Sequence, residues 1–407
     1  MRNKVFSFLL ILVLFISTVA CADTSGTSST TNTTITIAAR DGSFCDVINA
    51  VKADFETSHS CTLNIIPLSA DEIRAKAIEN VSNEVGSYDI IMIDDPLMPE
   101  YIEKDVLCNL TQLGYTDDED FVEKSRLLGK DPYPLGATYA LPFSGNVQLI
   151  FYNASVLGDD FDLTNWQGIY DACKKANESG KKGYAIRGQS GNPIVSDFLP
   201  ILWAFGGDIF DGQKVVLDSQ ESRDALDFYY KLYTTGDNYE KDGLIEAVSS
   251  GEAGIALGWP SWFISGKGSS ASIEQIPGQK DVSSQVLPTG EIGNWLMGVT
   301  SNSANKDLAL KAVEYLTSKD VQLKALEYGG IPTRTSIFRD KNIINDYPFF
   351  EAIYSGTNNS RVRPRTAKWS RIEDVFGEQL VKCINGEQTV DETIKYSQEA
   401  IQALANE

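Results

Sequence analysis

Between Ile194 and Phe205 the chain reads IVSDFLPILWAF, with only Ser196 and Asp197 polar. A helix without a water-facing stripe has to be enclosed by protein on every side, so this stretch requires a large surrounding body. Upstream, Tyr184 and Ile186 alternate with smaller residues as in a strand, and Gly188 and Gly191 supply a turn. Asn192 followed by Pro193 reads as an N-cap with proline at the first helical position. Pro200 predicts a kink, and Gly206-Gly207 stop the helix beside Trp203, Phe205 and Asp208, where backbone can approach a neighbour closely.

The rest of the chain alternates short strands with amphipathic helices, the pattern of parallel sheets with crossover helices. Ile35 to Ala39 is a strand that runs into Arg40-Asp41-Gly42-Ser43, where Ser43 caps a helix carrying Phe44, Val47, Ile48, Val51 and Phe55. Leu63 to Leu68 is a second strand and residues 70 to 83 a charged helix. From Tyr88 to Ile93 only Asp89 breaks an apolar run, as in a strand covered on both faces, and the run ends at Asp94-Asp95-Pro96. Ligands of open parallel sheets sit beyond the carboxyl ends of strands, which places Arg40, Asp41, Asp94 and Asp95 there. Helix capping by the same Asp and Ser residues is the competing explanation.

Composition excludes several classes. With 35 basic and 56 acidic residues, a net charge of −21 repels phosphate backbones, so nucleic acid is not an expected partner. His59 is the one histidine and lies in a polar ETSHSC stretch, and no Cys-x-x-Cys pair occurs, so no metal site or cofactor is expected. Tyr229-Tyr230 resembles the paired tyrosines of ferric-ion binders, but adjacent helical residues point about 100 degrees apart and one of the two should pack inward. At the start, Arg2 and Lys4 precede an apolar run from Val5 to Ile16 and small residues leading to Cys21, the form of a secretory signal. Its Thr-Val-Ala-Cys ending resembles a bacterial lipobox, which implies lipidation of Cys21. Residues 22 to 34 carry no large apolar side chain and read as a flexible tether to the membrane. Processing there leaves 387 residues, for which two domains are the expectation, and five cysteines beyond Cys21: Cys45, Cys61, Cys108, Cys173 and Cys383. Cys45 and Cys61, at opposite ends of a helix, are expected not to pair.

Further along, strand-like pieces 139–143 and 147–152 flank Ser144-Gly145-Asn146, a crossing between domains. Thr164-Asn165-Trp166-Gln167 reads as a capping box with Trp166 in the core. Residues 220 to 234 form an amphipathic helix, and Ala253 to Trp259 a buried strand ending at Gly258-Trp259-Pro260-Ser261-Trp262. Gly293-Asn294-Trp295 marks a second crossing. One long helical pattern covers residues 305 to 328, and Ile331-Pro332-Thr333-Arg334 marks a third crossing. Arg363-Pro364-Arg365 is a basic spot in an acidic chain, and Thr389 with Glu392 forms a capping box for the last helix.

Taken in order, the strand ending in Asp94-Asp95-Pro96, the Gly191-Asn192 turn, WAFGGD, the Trp259/Trp262 pair, Gly293-Asn294-Trp295 and Ile331-Pro332-Thr333-Arg334 resemble the extracellular solute-binding proteins, family 1, the sugar-type receptors of ABC importers. The resemblance runs from about residue 35 to the C-terminus. It implies an α/β, two-lobed periplasmic-binding-protein fold of type II, with parallel-rich sheets flanked by helices and three hinge crossings. The division that follows is a lipoprotein signal peptide (1–20), a tether (21–34), a first lobe (35–144 and 298–332) and a second lobe (145–297 and 333–407).

Carried onto this sequence, the resemblance implies hydroxyl contacts from Asp94 or Asp95 and from Asn146, where many relatives have aspartate. It implies ring stacking on Trp259 and Trp295 and an arginine at Arg363 or Arg365. The candidate set is completed by Arg40, Asp41, Trp203, Asp208, Trp262, Asn294 and Arg334. Asp, Asn and Arg suit the polar edge of a pyranose and tryptophan its C–H face. The expected partners are a small carbohydrate, the permease subunits and, through the lipid, the membrane, with the protein itself a monomer. A glycoside-processing enzyme with paired acids and a receptor for an amino acid, peptide or other non-sugar solute remain alternatives.

Overall fold

The computed structural model describes residues 32–278 and 289–407. Two five-stranded sheets organise it. The first runs in the order Cys61–Leu68, Thr33–Arg40, Ile90–Asp94, Trp295–Val299, Leu141–Ser144. Its first two ladders are parallel, and Trp295–Val299 runs antiparallel to both of its neighbours. The second runs Asp237–Asn238, Lys182–Ile186, Ala253–Gly258, Leu149–Tyr152, Ser272–Glu274. Its first two ladders are parallel and its last two antiparallel. The sheets are therefore mixed rather than parallel-rich: in each, one strand that arrives through a crossing, Trp295–Val299 in the first and Leu149–Tyr152 in the second, runs antiparallel to its neighbours.

Alternation assigns the faces of the second sheet. Ile255 and Leu257 of one strand join Ile150, Tyr184 and Ile186 in one core, while Ala256 joins Leu149, Phe151 and Ala185 in another. The apolar helix Asn192–Ala204 fills the first of these cores, and every residue from Ile194 to Trp203 is buried. Its polar residues are satisfied inside. Ser196 Oγ donates to Glu291 Oε1 at 2.6 Å, and Tyr229 donates to Asp197 Oδ2 at 2.9 Å. Pro200 has no N–H for the Ser196 carbonyl four residues back, and Gln148 Nε2 supplies a donor there at 2.9 Å. The segment stays helical across Pro200.

Several local expectations shift. Gly42 and Gly191, rather than Ser43 and Asn192, occupy the N-cap positions of their helices. Asn165 rather than Thr164 caps the helix Trp166–Glu178, accepting from Gly168 N. The 305–328 pattern divides at Thr317-Ser318, because the Ser318 side chain caps a new helix from Lys319. His59 ends the first helix and stacks on Phe55 at 4.1 Å instead of lying in a linker. The Thr389–Glu392 capping box is present. Tyr229 is fully buried and its neighbour Tyr230 exposed, as helical geometry requires.

The chain passes between the sheets at 144–147, again just before Trp295, and again at 331–334. The second passage ends three residues earlier than the sequence suggested: Trp295, Leu296 and Met297 already pair with Asp94, Ile93 and Met92 in the first sheet. The three passages touch one another. Gly145 N donates to Ile331 O at 2.8 Å, Gly293 N to Asn146 O at 3.1 Å, and Asn146 N to Asn294 Oδ1 at 2.9 Å. Gly145 is required at this spot, since a Cβ there would stand 2.5 Å from Pro332 O.

Candidate functional site

Both sets of parallel strands point their carboxyl ends into one cleft of about 400 Å³. From the first sheet, Thr33–Arg40 delivers Arg40 and Asp41, which form an ion pair, and Ile90–Asp94 delivers Asp94. Trp295 lies directly across the ladder from Asp94, its ring 5.8 Å from that of Phe44. From the second sheet, Lys182–Ile186 ends at Arg187 and Ala253–Gly258 at Trp259, followed by Ser261 and Trp262, while Lys241 opens the helix after Asp237–Asn238. Asn146 enters from the first crossing, its Nδ2 donating to Ser261 Oγ at 3.3 Å and its Oδ1 buried without a donor.

Arg363 closes the back of the cleft. Only 3% exposed, it donates to Asp94 Oδ1 at 2.9 Å and Asp95 Oδ2 at 3.3 Å and lies 3.9 Å from Glu291 Oε1. Burial pushes the Asp95 and Glu291 carboxyls up, and the guanidinium works against that rise. Nearby, burial lifts Glu373 to about 8 while Asn192 Nδ2 donates to its Oε1 at 2.8 Å.

Of the fourteen candidate residues, eight line this cleft: Arg40, Asp41, Asp94, Asn146, Trp259, Trp262, Trp295 and Arg363. The other six do not. Asp95 is fully buried beneath Asp94 and starts a 3-10 turn. Asn294 is fully buried, its side chain holding Asn146 N. Arg334 lies 4.0 Å over Phe121, pairs with Asp118 at 2.5 Å and donates twice to Thr317 O, which makes it a clamp on the third crossing. Arg365 donates to the carbonyls of Asp95 and Leu128. Trp203 and Asp208 border a separate cavity of about 740 Å³, where Arg361 covers the Trp203 ring at 4.8 Å and pairs with Asp208 at 2.6 Å. Arg187, Lys241, Asn192 and Ser261 were missed. For Arg187 the signal was present, since it follows a strand, the same position that singled out Arg40 and Asp94.

A cleft walled by the carboxyl ends of two α/β sheets, with two of the three chain passages lining it, is the architecture of a two-lobed solute-binding protein. Residues 46–323 match the family model for bacterial extracellular solute-binding proteins, and the chain belongs to that family. It is similar to a probable ABC transporter-binding protein of Deinococcus radiodurans, 23% identical over 59% of this chain and 63% of that protein. It is also similar to a probable amino-acid ABC transporter periplasmic-binding protein of Sinorhizobium fredii, 23% identical over 78% of this chain and 76% of that one. Among solved structures it resembles maltose-bound MalE3 of T. maritima, with TM-score 0.79 and 23% identity over 91% of this chain and all (100%) of the other. It likewise resembles a ribitol-bound solute-binding protein of Agrobacterium radiobacter, with TM-score 0.77 and 19% identity over 91% of this chain and 98% of the other.

Proposed function

We propose that this protein is the extracytoplasmic binding component of an ABC importer, which captures a carbohydrate (sugar, oligosaccharide or polyol) by lobe closure and hands it to the permease. The observation that carries the reading is the meeting of three tryptophans, Trp259, Trp262 and Trp295, with Asp94, Asn146 and Arg40 in one cleft. Flat rings suit the C–H face of a sugar, and the planar polar groups suit its hydroxyl edge. The first lobe comprises 35–144 and 298–332, with Thr33 and Thr34 of its first strand and the second-crossing strand from Trp295 added. The second comprises the remaining residues of 145–294 and 333–407. Only a ligand that touches both walls favours the closed state.

The chain acts as a monomer tethered through a lipidated Cys21 after removal of residues 1–20. Residues 1–31 lie outside the described part of the structure, so this half of the reading rests on the leader sequence. Stable anchoring takes more than one acyl chain, and Cys21→Ala should release the protein from the membrane fraction. For the cleft, calorimetric titration with a panel of neutral and charged sugars, polyols and amino acids is the test. Saccharide binding with contraction of the particle in small-angle scattering is expected; tight binding with unchanged dimensions removes lobe closure.

A further inference from the structure

The charges that line the cleft do not balance. Asp41 and Asp94 are its only lining carboxylates among the described residues; both come from the first wall, and each is taken, by Arg40 and Arg363 respectively. The second wall presents Arg187, Lys241 and Arg363 and no carboxylate. Arg363 is neutralised by Asp94, Asp95 and Glu291. Arg187 and Lys241 are left over, in a chain with 21 more acidic than basic residues.

Arg187 is positioned as a receptor group rather than as a solvated surface residue. It sits half-buried at the carboxyl end of the central part of the second sheet, with its guanidinium carbon 4.7 Å from the centre of the Trp262 ring. Its Nε is buried without an acceptor, and no carboxylate of the described residues lies within ion-pair distance of it. Asp197 and Glu291 act on it only at longer range, from inside the core. Lys241 flanks the same ring at 5.8 Å. A fork of donors held over an aromatic ring, with a second cation beside it, suits a carboxylate, which accepts two parallel N–H bonds from one guanidinium.

We infer that the solute presents a carboxylate to Arg187 and Lys241 and, resting on the carbohydrate reading above, that it is an acidic saccharide of the uronate class. The sugar ring stacks between the tryptophans, its hydroxyls meet Asp94 and Asn146, and its carboxylate lies against the second wall. A neutral sugar of the same shape offers there a single uncharged hydroxyl oxygen, which cannot take two parallel N–H bonds or pair with the charge, and this disfavours it.

Calorimetric titration of the purified protein with D-galacturonate, D-glucuronate and di- and trigalacturonate, each against its neutral counterpart, tests this, with L-glutamate and glycine as a separate arm. The expected result is at least about tenfold tighter binding of an acid than of its neutral partner, weakened by salt. Arg187→Met, which keeps an apolar stem on Trp262, should abolish that ratio, and Arg187→Lys should retain part of it. A neutral sugar bound as tightly as its acid, an unchanged ratio in a folded Arg187→Met protein, or a panel in which nothing bearing a carboxylate binds overturns the inference. If Arg187→Met fails to fold, the wild-type ratio decides alone. Binding confined to the amino acids upholds the carboxylate contact and instead removes the carbohydrate reading.

Discussion

Arg363 donates to Asp94 across 269 residues of sequence, at 2.9 Å, from a position only 3% exposed. One bond thereby joins the C-terminal segment of the chain to the end of the central strand of the first sheet, at the back of the cleft. Replacing this arginine leaves the fully buried carboxyls of Asp95 and Glu291 without their nearest cation. Breaking a buried pair from one side costs roughly 3–5 kcal/mol. Arg363→Met should lose about that much in urea unfolding, and a loss near zero contradicts the arrangement.

Adjacent aspartates should separate by phenotype. Asp94 faces the cleft and Asp95 does not. Asp94→Asn should weaken ligand binding about tenfold to a hundredfold, the value of a hydrogen bond to a charged group. Asp95→Asn should change the melting temperature and leave affinity near that of the wild type. Titration of the two variants with the same ligand reads the difference, and an exchange of their effects rules out this placement.

Gly293 is fixed by the ring it faces. A Cβ there would stand 2.6 Å from Cη2 and 2.7 Å from Cζ3 of Trp259, which is itself largely buried. Gly293→Ala should therefore displace the indole, shift the tryptophan emission and cost about 1–3 kcal/mol as an overpacked site. Unaltered emission and stability argue against the contact.

The Tyr229–Asp197 pair predicts a pH dependence. Burial pushes Asp197 up to about 7, above its ordinary value near 3.8, with Arg187 and the Tyr229 hydrogen bond opposing the rise. Between those two values the folded protein holds a proton that the unfolded chain has lost, so stability falls as pH rises through this window and is fully present below it. Melting temperatures between pH 4 and 8 should show a smaller decline in Asp197→Asn than in the wild type. Equal slopes would mean that this carboxyl titrates normally.

How much of this was legible in the sequence depended on the range of the cause. The enclosed helix at 192–204, the strand ending at Asp94 and the three passages are all written in local composition, and each is present. The cleft residues that were found sit at strand ends or on the passages, positions that pattern alone defines. The six that lie outside this cleft carry the same residue types but answer to distant partners: Arg334 to Asp118, Asp208 to Arg361, Arg365 to the carbonyls of Asp95 and Leu128. No spacing rule carries that information. The N-caps at Gly42 and Gly191 failed for another reason, since both glycines take positive φ, a conformation open to them and costly for the serine and asparagine that follow.

The bonds that bind Gly145 to Ile331, Gly293 to Asn146, and Asn146 to Asn294 have a mechanical consequence. Three separate linkers would let the two halves twist, shear and bend independently. Laced edge to edge, they behave as one strip that is stiff to twisting and sliding and yields only to folding along its width. Under the lobe closure proposed above, the molecule then has a single soft degree of freedom, and each opening returns Asp94 and Trp295 to the same register opposite Trp259 and Arg187, as a piano hinge brings a lid back onto its latch.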